Sequence, residues 1–142
     1  MLVRLLYASR PLPPLSQGVV DAILAQSLKS NPPRGITGIL CYNDALFLQV
    51  LEGGRDAVCD LYNMIARDTR HENVRILSFE EIAERRFGGW TMGHVNVAKV
   101  NPSLLLKYGE KPMLDPFSWS GRASLAFLDE LIATAAVVSR GI

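Results

Sequence analysis

Polar side chains in this sequence stand where their surroundings should select aliphatic ones. In "ALFLQVLEGG", residues 45–54, alternation puts Ala45, Phe47, Gln49 and Leu51 on one strand face and Leu46, Leu48, Val50 and Glu52 on the other. Gln49 is therefore flanked by apolar neighbours whichever way it points. A buried amide left unpaired costs about 1–3 kcal/mol, so Gln49 needs a partner: a backbone group, a core side chain such as Tyr7, or a ligand. Two helical stripes show the same feature. Ser27 continues the Val20–Leu24 face and Asn31 follows four residues later, while Asp68 follows Leu61 and Ile65 and is succeeded at once by Arg70 and His71. Both helices thus carry polar groups at their C-terminal ends. A flat cavity lined by Tyr7, Gln49, Asn31 and Ser27, with aliphatic walls, suits a planar heterocycle with amide-like edges and an apolar face.

The elements that must position these residues are read from periodicity. Residues 2–8, "LVRLLYA", alternate as a first strand, with Val3, Leu5 and Tyr7 on one face and Leu2, Arg4, Leu6 and Ala8 on the other. The proline-rich "RPLPPLS" that follows is expected to be irregular, with Ser16 capping a helix over 17–29 that "NPP" stops. Strands at 36–42 and 45–52, joined by an Asn43-Asp44 turn, precede a helix over 56–68 and a strand over 74–82. Tyr7 and Gln49 fall on strands that this order makes neighbours. The class is α+β: a ferredoxin-like split β-α-β-β-α-β arrangement with two helices on one face, a short extra strand near 94–98, and a C-terminal helical extension. The division expected is 1–96 and 97–142. The long tail helix in "SGRASLAFLDELIATAAVV" is apolar almost all round, including Val137 and Val138, so it packs on the open sheet face or makes an oligomer contact.

Composition excludes several functions. The 142 residues are 49% hydrophobic with a net charge of +1, and no basic run exceeds Arg85-Arg86, which speaks against nucleic acid as a partner. No spanning segment and no signal-peptide core is visible, so a cytoplasmic protein without membrane contact is expected. Cys41 and Cys59 show no CxxC or metal spacing and read as buried reduced thiols, with no metal site.

"RLLYAS", "SLKSNPPRGITGILCYNDALFLQVLEG", "DLYNMIARDTRHENV" and "AERRFGGWTMG" together resemble the BLUF family of blue-light sensors over roughly residues 2–96. The ordered series Tyr, Asn, Gln, Arg-His and Trp-x-Met carries the likeness. The C-terminal portion is similar to that of the short single-domain members, which carry no fused enzyme. The resemblance implies non-covalent FAD, with FMN possible, between the two helices. Asn31 would bond the pyrimidine edge of the flavin, and Gln49 would bridge Tyr7 and the flavin with Ser27 close by. Asp68, Arg70 and His71 would sit nearer the other end, where a cation offsets the partial negative charge of helix C-termini that would otherwise repel a flavin phosphate, unless Arg70 merely caps helix carbonyls. Met64 and Ser30 depart from the basic or polar residues that some relatives have there. In the family, light moves an electron and a proton from the tyrosine by way of the glutamine, and an altered glutamine hydrogen bond persists.

"FGGWTMG" is the expected output segment: Gly88-Gly89 provides a flexible lead-in, and Trp90 and Met92, read as two apart on one strand face, could exchange places near Gln49, or Trp90 is a fixed core aromatic. A homo-oligomer and a separate downstream signalling protein are the expected partners, and the chain is not read as an enzyme. The alternatives are a light-independent small-molecule-binding regulatory domain, or an acyl-phosphate hydrolase using Arg34 and Asn31. The latter lacks a Gly-rich phosphate loop around those residues, and no GxGxxG supports a redox flavoenzyme.

Overall fold

Apolar alternation over Leu2–Pro11 makes the first strand, β1, and the computed structural model, which describes residues 1–12, 16–134 and 137, places it inside the sheet. Ser16 then accepts from the Val19 N–H and starts α1, Gln17–Arg34. Next come β2 (Thr37–Tyr42), β3 (Phe47–Gly54), α2 (Arg55–Arg67) and β4 (His71–Ile82). After a loop follow β5 (Gly93–Asn96), a 3-10 turn, α3 (Pro102–Tyr108) and α4 (Gly121–Ala133). The sheet order is β4-β1-β3-β2-β5, antiparallel except that β5 runs parallel to β2. This is the expected α+β split arrangement with its extra strand. The β2–β3 hairpin closes because Asn43 Oδ1 accepts from the N–H groups of Ala45 and Leu46 at 2.8 and 2.9 Å.

Period-two alternation divides the core into two layers. Val3, Leu5, Tyr7 and Leu51 pack with Val20 and Leu24 of α1 and Val58 of α2 on one side. Leu6, Ile39, Leu48 and Val50 meet Phe127, Leu128 and Leu131 of α4 on the other. The tail helix therefore lies on the sheet's open face, one of its two expected placements. Burying each such side chain contributes roughly 1.5–3 kcal/mol. Val137 packs against the same layer, and Val138 lies outside the described residues.

Four local expectations are corrected. α1 does not stop at "NPP" but continues through Pro32 and Pro33 to Arg34. Near a helix end the two missing N–H groups orphan only the carbonyls of Leu28 and Lys29, which lie on exposed residues, so solvent satisfies them. The stop is set instead by Gly35 at φ 67, whose N–H reaches the carbonyls of Asn31 and Pro32. β1 extends to Pro11 and β4 begins at His71, because the two ends pair with each other at Pro11 and His71. Cys41 is buried, and burial pushes its thiol above the ordinary range, but Cys59 on α2 is only half-buried. Finally, Trp90 and Met92 do not share a strand face: they precede β5 and go to opposite core layers.

Gly38 marks a close backbone approach between β2 and β3. A Cβ built there would stand 2.0 Å from the Val50 carbonyl oxygen. Gly38→Ala should break the pairing that supports Gln49 and destabilise the chain by about 4 kcal/mol or more, read as a loss of cooperative thermal unfolding.

Candidate functional site

Antiparallel register sets Tyr7 of β1 directly opposite Gln49 of β3, so their side chains rise from the same sheet face toward the helices. The Tyr7 hydroxyl donates to Gln49 Oε1. Gln49 Nε2 in turn donates to Met92 Sδ at 3.3 Å. Met92 is brought there by β5, whose Gly93 pairs with Ile39. All three side chains are buried, and Tyr7 packs edge-on against Tyr62 at 5.8 Å. Burial, with smaller contributions from Tyr62 and Asp68, holds the Tyr7 phenol above its ordinary pKa of 10.0. The phenol is therefore a neutral donor throughout the physiological range.

Above this floor lies a cleft between α1 and α2 of about 140 Å3, or about 810 Å3 with its open mouth included. Tyr7, Ser27, Asn31, Gln49, Asp68, Arg70 and His71 all line it. Ser27 turns its hydroxyl back to donate to the Ile23 carbonyl at 3.0 Å. Asn31 is 2% exposed, and its Nδ2 has no hydrogen-bond partner among the described residues. Arg70 does not cap carbonyls; its Nε and Nη2 fork onto Asp68 at 2.9 and 2.6 Å. That hydrogen bond holds the Asp68 carboxyl below its usual range. The His71 ring stands 2.6 Å from the Ile65 carbonyl through Nε2 and 3.0 Å from Ser9 Oγ through Nδ1.

Trp90 is the predicted residue that this geometry sets apart, since it packs in the α4 layer on the far side of the sheet. Two polar residues to which the ligand reading of the sequence gave no part also line the cleft: Arg34, whose only assigned chemistry was hydrolysis, and Gln26. A signal for Arg34 was present, because Ser27, Asn31 and Arg34 repeat at i, i+4 and i+7; the assumed proline stop concealed it.

The family model for sensors of blue light using FAD matches residues 2–93. The chain belongs to the BLUF family. Among curated BLUF relatives, the photoactivated adenylate cyclase subunit beta of Euglena longa is 37% identical over 92 residues. That match covers 64% of this chain but 11% of the cyclase subunit, so the chain spans about a tenth of such a relative. Solved BLUF structures align over nearly the whole length. BlsA in its photo-activated state matches with a TM-score of 0.81 at 31% identity, covering 93% of this chain and 95% of BlsA. BlrB, in its dark state, matches with a TM-score of 0.75 at 34% identity, covering 94% and 96%.

BLUF domains bind flavin, and the cleft fits one by an observation of its own. A buried amide donor without a partner is costly in an isolated protein, and a ligand carbonyl would satisfy it. An expected result follows with opposite signs for stability and binding. Asn31→Leu removes the orphaned amide, so the flavin-free BLUF chain should unfold at the same or a higher temperature, while flavin affinity falls about tenfold, measured by fluorescence titration.

Proposed function

We propose that this chain senses blue light through a flavin seated between α1 and α2, FAD by preference with FMN able to replace it, and signals by contact with a separate protein. The observation that carries this reading is the buried relay from Tyr7 to Gln49 to Met92 beside the unmet amide of Asn31. A bound flavin would supply blue-light absorption and reversible uptake of an electron and a proton. Asn31, Gln49 and Ser27 would hold its ring edge, with Asp68, Arg70 and His71 toward the other end.

Tyr7 is the donor in this relay. Its phenol holds its proton firmly, so proton loss accompanies loss of the electron rather than preceding it. Gln49 Oε1 accepts the phenol hydrogen bond and is the group through which that proton leaves and returns. While the bond is broken, the amide is free to settle with its oxygen and nitrogen exchanged, which removes the Nε2 donor from Met92 Sδ. One such bond is worth about 0.5–1.5 kcal/mol, whereas reversing a 1:99 equilibrium needs about 5.5 kcal/mol. Light supplies the difference, and the switched state decays in the dark.

Met92 and Trp90 form the output, Met92 reading the amide and Trp90 pressing on the α4 layer. Residues 1–96 are the sensor unit, and 97–142 couple it to a second copy and to the downstream partner. The setting is the cytoplasm; no described helix is long and apolar enough to cross a membrane. The test is direct. Purified protein should be yellow, release FAD on denaturation, and undergo a small red shift under blue light that reverses in darkness. Colourless protein that takes up no flavin, or flavin-bound protein whose spectrum ignores light, would refute this reading.

A further inference from the structure

The cleft's neutral floor and charged rim differ in how their polar groups are engaged. Three lining groups can carry positive charge: Arg34, Arg70 and His71. Arg70 closes its fork on Asp68. His71 directs both ring nitrogens to protein oxygens at 2.6 and 3.0 Å. Arg34, on the last turn of α1, instead reaches across the mouth to Met64 Sδ of α2 at 3.8 Å. A thioether is a weak acceptor and carries no charge. Of the two arginines among the described residues that line the cleft, Arg34 is thus the one whose charge no carboxylate balances.

Its position adds a second reason. Because α1 runs on through its prolines, Arg34 stands one turn beyond Asn31 on the same stripe, about 4.5 Å further along the axis. α1 and α2 both end at this rim, and each C-terminus carries roughly half a negative charge. An anion entering there needs a local cation. We propose that Arg34 binds the phosphate of the flavin tail, exchanging its thioether contact for a charge-assisted fork, and so selects phosphorylated flavins over riboflavin. This rests on the flavin reading above. Guanidinium geometry matches phosphate in a bidentate manner, which a lysine would do less well.

The experiment compares dissociation constants of FMN and riboflavin for the flavin-depleted chain by fluorescence quenching, at low and high salt. These two ligands differ by the phosphate alone. The native chain should prefer FMN, and salt should weaken FMN binding while leaving riboflavin unaffected. Arg34→Gln should weaken FMN binding about tenfold or more with riboflavin affinity unchanged. Arg34→Lys should retain part of the preference, and Arg67→Gln, at an exposed cation on the last turn of α2 outside the cleft lining, all of it. An unaltered FMN-to-riboflavin ratio in Arg34→Gln overturns the proposal, as does loss of the ratio in Arg67→Gln instead. Equal native affinity for both ligands overturns it while sparing the flavin reading. Failure of the native chain to bind any flavin overturns both.

Discussion

Tyr7→Phe is expected to bind flavin normally and show no light-induced absorption shift. The phenyl ring keeps the packing against Tyr62 and the sheet, so the cleft retains its shape. What disappears is the hydroxyl that donates to Gln49 Oε1, and with it any route by which this residue can lose a proton. Stability should fall by only about 1–3 kcal/mol, the cost of leaving the amide oxygen unpaired. Gln49→Leu should likewise keep flavin and lose the photocycle, and the hydrogen bond to Met92 goes with it. Flash spectroscopy on the two flavin-loaded variants checks both. Loss of flavin from Gln49→Leu would make that residue structural, and a surviving photocycle in either variant would contradict the relay. In the native chain, raising the pH to 9 should leave the yield unchanged, because the folded-state phenol titrates above its ordinary value. Above about pH 10 the unfolded chain releases this proton first, so fold stability should decline there.

Glu52→Ala should cause a large loss of stability away from the cleft. Glu52 is fully buried on the α4 side of β3, three residues from Gln49. Its carboxylate accepts from Arg4 Nε at 2.7 Å, from the Phe87 N–H at 2.6 Å and from the Arg86 N–H at 3.0 Å. Arg4 is itself 6% exposed and otherwise meets Glu80, whose side chain is 46% exposed. Removing Glu52 leaves a buried cation short of its buried partner, a change that costs about 3–5 kcal/mol. It also releases the backbone of residues 86–87, which leads into Trp90 and Met92. Thermal unfolding should show a deep fall for Glu52→Ala and a change within about 1 kcal/mol for Glu80→Ala. The double replacement Arg4→Met with Glu52→Leu separates the two roles. If it recovers most of the stability, the ion pair dominated; if not, the anchored loop did.

The sheet, its two faces and most of the cleft were legible because their signals are local. Alternation at Val3, Leu5 and Tyr7 and at Phe47, Gln49 and Leu51 needs no partner to be read, since the pleat imposes it on any strand. A Gln among aliphatic residues and a Ser27–Asn31 helical stripe are local signals in the same sense. Three features were not legible. Pro32 argued for a helix end, but burial of Asn31 and the Gly35 cap carried α1 on to Arg34. Trp90 and Met92 suggested one face at a spacing of two, yet the segment before β5 is not a strand, so alternation had no claim on it. The pairing of Arg70 with Asp68 was equally open, since a guanidinium can reach carbonyl, carboxylate or phosphate from the same position.

From residue types and spacing alone came the α+β arrangement, the strand neighbours and most of the polar groups that line the cleft. Tertiary structure alone decided where α1 ends, which arginine at the rim lacks a carboxylate, and which side of the sheet receives Trp90. The reason is that periodicity reports how one element divides between core and solvent, whereas helix ends, ion pairs and loop packing depend on groups distant in sequence competing for the same donors, acceptors and space.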